Sequence, residues 1–105
     1  MNHQHQNLAS GRWFTLSLAE QLGNVGSEYE RALRWKGKNQ DYFEKAFERM
    51  LELLDLTIQD PRWRNHRLKE LLRLREQACE ELLAQTLPEA TLKKYFLYFG
   101  LLARA

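Results

Sequence analysis

Cysteine is nearly absent from this 105-residue chain, proline occurs twice, and no apolar run approaches the length of a membrane span. A lone Cys79 excludes an intrachain disulfide and every zinc or thioredoxin-type motif built on paired cysteines. The longest apolar stretch, Tyr95 to Ala103, is about half of the roughly 20 residues that a membrane helix needs. Charge of one sign is lacking as well. With 16 Lys and Arg against 14 Asp and Glu, the net charge of +2 makes no argument for nucleic acid by its total. Missing too are a Walker loop, a dinucleotide fingerprint and a nucleophile-elbow serine. The expectation is a non-enzymatic protein with no cofactor, no metal, no membrane partner and no evident small-molecule substrate.

Met1 to Gly11 is rich in His, Gln and Asn and has no apolar h-region, so it reads as a disordered tail and not a secretory signal. With the single cysteine, this points to a cytoplasmic location. Residues 12–105 then form one domain, because this length supports one core.

The rest of the chain has helical periodicity throughout. Ser17-Leu18-Ala19-Glu20 has capping-box spacing, and Leu18, Leu22, Val25, Tyr29, Ala32 and Leu33 recur at steps of three and four up to Trp35. Gly23 and Gly26 inside this helix each cost about 1 kcal/mol relative to Ala. They predict a tight crossing with another helix, a helix break being the alternative. Asn39 or Asp41 caps a second helix over 41–59, with Phe43, Ala46, Phe47, Met50, Leu51, Leu54 and Ile58 as its stripe and Leu53 and Leu56 widening it. That width predicts the central position for helix two. Asp60-Pro61 stops it.

A third helix is predicted over 64–85, burying Leu68, Leu71, Leu72, Ala78, Cys79, Leu82 and Leu83, with Arg75 interrupting the stripe. Thr86-Leu87-Pro88-Glu89 is a second capping-box spacing and starts a fourth helix. Its core face is Leu92, Tyr95, Phe96, Phe99 and Leu102, while Leu97, Tyr98 and Leu101 make it apolar almost all round. Four helices with short connections predict an all-α, four-helix antiparallel up-down bundle. The surplus apolar surface at Leu97, Tyr98 and Leu101 asks for an oligomer interface, a homo-oligomer being the commoner case.

Chemistry-bearing groups are sparse. A bundle metal centre needs Glu-x-x-His pairs, and no Glu here precedes a His by three. Glu44, Glu48, Glu52 and Asp55 form an acidic row on helix two that reads as a solvated face. His3 and His5 could hold Cu(II) or Ni(II), but in a floppy tail such a pair is incidental. His66 lacks a ligand partner, and Cys79 sits on the apolar stripe as a small hydrophobe.

The charge pattern stands above this background. Arg62, Arg64, Arg67, Lys69, Arg73 and Arg75 face a single acid, Glu70, and most of these cations lie where the helix dipole favours anions. The segment of helix two from Asp41 to Asp60 carries six acids against two cations. Two explanations compete. Either the cations pair with helix two, or with Trp63, Lys36 and Lys38 they face outward and bind a polyanion such as RNA.

The stretches GRWFTLSLAEQLGNVGSEYERALRWK, YFEKAFERMLELLDLTIQDPRW and RLKELLRLRE, followed by KKYF, resemble a family of small bacterial proteins of similar length and unassigned function. That resemblance implies a self-contained protein and transfers no functional residue. In architecture alone the chain is similar to the accessory variability determinant of diversity-generating retroelements and to the proteins of 23S rRNA intervening sequences. Those likenesses imply a nucleic-acid-associated oligomer. The expected function is an oligomeric protein scaffold or adaptor with a protein partner, RNA binding being the first alternative and an enzyme the second.

Overall fold

The computed structural model describes residues 11–84 and 92–104. Both the expected tail, up to residue 10, and the second capping box, Thr86 to Glu89, lie outside the described residues.

A 3-10 turn, Arg12–Thr15, precedes four helices: α1 (Leu18–Trp35), α2 (Gln40–Gln59), α3 (His66–Leu83) and α4 (Leu92–Arg104). The capping box forms as its spacing predicts, the Glu20 N–H donating to Ser17 Oγ at 3.1 Å and the Ser17 N–H to Glu20 Oε1 at 3.0 Å. Helix α1 runs unbroken through both glycines. Past its end, Gly37 adopts φ 76°, a left-handed conformation that glycine takes without strain. Asn39 caps α2, accepting from the Tyr42 N–H at 3.1 Å. Asp60 accepts from the Arg62 N–H and opens a short 3-10 turn, Pro61–Trp63. This turn is why α3 starts at His66 and not at Arg64: the Arg64 N–H bonds back to Pro61 O.

The helices alternate in direction as an antiparallel up-down bundle. Helix α1, not α2, holds the central place, since it packs most closely against both α2 and α4. Small residues explain this. A Cβ added at Gly26 would stand 2.4 Å from Phe96 Cβ, and one at Gly23 would stand 3.3 Å from Gly100 Cα. The glycines therefore mark the tight crossing expected of them, and α4 is the helix that uses it.

The core is built from Leu22, Val25, Tyr29 and Ala32 of α1, Met50 and Leu54 of α2, Leu71, Ala78 and Leu82 of α3, and Phe96 of α4. Trp13, ahead of α1, closes one end and is wholly buried. On α3 the face is turned from the expected one. Leu74 is buried, while Leu72 and Leu83 are exposed and Cys79 is only half-buried. The stripe runs 71, 74, 78, 82, so Arg75 flanks it and interrupts nothing. On α4, Leu92 and Phe96 are buried, Tyr95 and Phe99 half-buried, and Leu102 exposed, since among the described residues no further element covers the last turn.

Candidate functional site

The cations that stand together in sequence are distributed to different tasks. Arg62 is held by Asp60, with Nη2 at 2.7 Å from Oδ2 and Nε at 3.1 Å from Oδ1, and it also donates to Leu16 O at 2.6 Å. Its guanidinium stacks 4.6 Å from the Trp63 ring centre. Trp63 in turn donates its indole N–H to Gln21 Oε1 at 2.8 Å, so its polar handle is directed into the fold. Arg75 meets Asp55 of α2 at 2.9 Å, the pairing that the acidic row on α2 anticipates. Lys36 donates to Leu82 O and Ala84 O and thereby closes the carbonyl end of α3.

Of the six cations from Arg62 to Arg75, four remain outside these contacts. Arg67 approaches Glu70 of its own helix at 4.0 Å. Arg64, Lys69 and Arg73 are exposed, and no ion pair or side-chain hydrogen bond joins them to the described residues. Lys69 and Arg73, together with His66, form one wall of a groove between α3 and α4 of about 400 Å³. Leu74, Leu92 and Tyr95 line it on the apolar side. Glu70, the acid in this groove, accepts from the Tyr95 hydroxyl at 2.9 Å. Burial, reinforced by Glu70, pushes the Tyr95 phenol far above its ordinary value, so the hydroxyl stays protonated and donating.

The second surface is the outward side of α4. Leu97, Tyr98 and Leu101 are 58%, 59% and 56% exposed, and Leu102 is 45% exposed. Leu97 and Leu101 border a small cleft of about 110 Å³ that Gly23, Ser27 and Gly100 leave between α1 and α4. The interface residues expected from sequence are therefore where an approaching surface would reach them.

Other groups are arranged for structure. Burial raises the Cys79 thiol more than nearby Arg75 lowers it, which disfavours the reactive thiolate. Tyr29 is pushed up by burial and by its hydrogen bond to Glu81. Among the described residues, no group of three or more His, Cys, Asp or Glu could hold a metal ion. His66 is exposed on the groove wall. His3 and His5 lie outside the described residues. No described helix is long and apolar enough to cross a membrane.

One constellation escaped the sequence reading. Gln21, Thr57 and Asp60 are polar and almost wholly buried. Trp13 Nε1 donates to Thr57 Oγ1 at 3.1 Å, while Gln21 Nε2 donates to Trp13 O at 2.9 Å and to Asp60 Oδ2 at 3.0 Å. A signal existed: Gln21 falls in line with Val25, Glu28 and Ala32 at steps of four and three. Each member is satisfied, which makes the network a structural clasp and not a site awaiting a ligand.

The fold and surfaces define a small all-α bundle with an exposed apolar helix face and a partly cationic groove. The sequence matches no family model, and no curated protein or solved structure is significantly similar to it.

Proposed function

We propose that this chain is a non-enzymatic interaction module that works as a homo-oligomer, with the outward face of α4 as the contact between copies. The observation that carries the reading is the run of Leu97, Tyr98, Leu101 and Leu102 on one helix, each about half exposed after the core is filled. Apolar area of this kind gains by leaving water. A second copy offers the same face, so a two-fold axis buries both at once. The cleft beside Gly23 and Gly100 gives the leucines of a facing helix a place to insert.

Binding of RNA has less support. Arg62, Arg75 and Lys36 have their partners within the fold, and Trp63 donates its N–H inward.

Light scattering at tens of micromolar tests the proposal, with a mass above the 12.6 kDa of one chain expected. Tyr98→Glu or Leu101→Glu should give the monomer with helicity retained, because a charge in a desolvated contact is costly. A parent that is monomeric at that concentration overturns the reading.

A further inference from the structure

We infer that the groove between α3 and α4 is a docking site for an acidic amphipathic helix of a partner protein. His66, Lys69 and Arg73 stand at i, i+3 and i+7 on α3, a row about 10 Å long at 1.5 Å per residue. None of the three has an ion-pair or side-chain hydrogen-bond partner among the described residues. The one acid beside them, Glu70, is already engaged by Tyr95 and Arg67. What the groove offers outward is positive charge along one wall.

The other side is apolar. Leu74 and Leu92 are buried beneath the groove and Tyr95 is half-buried beside them. At about 400 Å³ the space falls in the roughly 300–1,000 Å³ range of binding clefts. A helix with Glu or Asp along one edge and leucine-type residues on its face matches both features, its acids one turn apart against Lys69 and Arg73 and its apolar side chains over Leu74 and Leu92.

A nucleic-acid strand matches only the first feature. Sequence-tolerant RNA binding needs aromatic faces free to stack with bases. Here the Tyr95 ring packs against Phe96 and Phe99, at 5.6 and 5.0 Å between ring centres, and its hydroxyl is bound to Glu70. Lys69 also stands close to the first turn of α3, where the helix dipole disfavours a cation and an acidic partner would offset it.

The probe is a labelled synthetic peptide of about four helical turns, with Glu at i and i+4 and Leu at i+3 and i+7, followed by fluorescence anisotropy against the full chain. Micromolar binding that weakens with salt is expected. Lys69→Glu with Arg73→Glu should reduce affinity at least tenfold without altering helicity, whereas Arg64→Glu, outside the groove, should change it little. A peptide with its Glu changed to Gln, or its Leu changed to Ser, should also bind at least tenfold more weakly. The inference is overturned if the parent peptide does not bind, if the double variant binds it equally, or if single-stranded oligouridylate binds as tightly at the same salt. The double variant should keep the parent's oligomeric mass, so this site and the α4 contact fail independently.

Discussion

The side-chain amide of Gln21 donates to the Asp60 carboxylate at 3.0 Å across one end of the bundle, joining the start of α1 to the end of α2. The same amide serves Trp13 O, and its carbonyl oxygen accepts from the Trp63 indole. Gln21→Leu therefore leaves the Trp63 indole N–H without its acceptor, and takes one donor from Asp60 Oδ2, which keeps Arg62, and one from Trp13 O, which keeps the Leu16 N–H. At about 1–3 kcal/mol for an unsatisfied group, with Trp63 half-buried, the loss should be about 1–2 kcal/mol. Urea denaturation of the two proteins measures it, and a difference near zero would show that water replaces the amide without cost.

Asp60 gives the clasp a pH dependence. Burial by itself would raise its carboxyl, but hydrogen bonds from Arg62 and Gln21 outweigh burial and hold it below the ordinary value. A folded-state value below the unfolded one means that Asp60 stabilises fully above about pH 4, the unfolded aspartate value, and that this contribution disappears as pH falls through the lower folded value. Glu20, lowered by its capping-box bonds to Ser17, acts in the same direction. Asp60→Asn should be less stable than the parent near pH 6 and lose less stability on acidification; parallel curves would remove Asp60 from the acid transition.

Gly26 and Gly100 should respond oppositely to alanine. At Gly26 the new Cβ would meet Phe96 Cβ at 2.4 Å, and overpacking of about 1–3 kcal/mol exceeds the roughly 1 kcal/mol that alanine gains in helix propensity. At Gly100 nothing lies within 4 Å of the added Cβ, leaving only the propensity gain. A lowered melting temperature for Gly26→Ala and a raised one for Gly100→Ala are expected. The reverse order would displace the crossing.

Lys36 should prove to be structural. Lys36→Met removes the charged donor that closes the carbonyl end of α3, and hydrogen bonds to charged groups contribute about 1.5–3 kcal/mol. Stability should fall by about 1–2 kcal/mol while the mass in light scattering stays that of the parent.

Arg75 and Asp55 form a cross-helix pair that is 38% and 47% exposed, so solvent screens it. A double-mutant cycle with alanine should return a coupling below about 1 kcal/mol. A larger value would mean that this pair helps to fix the rotation of α3.

Much of this architecture was legible locally. Ser17 and Glu20 are three residues apart, as are Asn39 and Tyr42, and such caps satisfy groups within one helical turn whatever the rest of the chain does. The apolar steps of α1, the stop at Asp60-Pro61 and the unmet apolar side of α4 are likewise written at short range. Two glycines in a well-patterned helix signalled a close neighbour, since nothing local favours them there.

Which neighbour it was, and what each cation does, depended on contacts between residues far apart in the chain. Trp13 and Thr57 are 44 positions apart, and Gln21 and Asp60 are 39 apart, so no spacing rule could join them. On α3 the burial of Leu74 in place of Leu72 turned Arg75 toward Asp55 and left Lys69 and Arg73 outward. Periodicity defines a helix face only to within the width of a side chain. The remaining rotation was decided in the folded molecule, where close packing of the core outweighs the few tenths of a kcal/mol that exposed charges contribute.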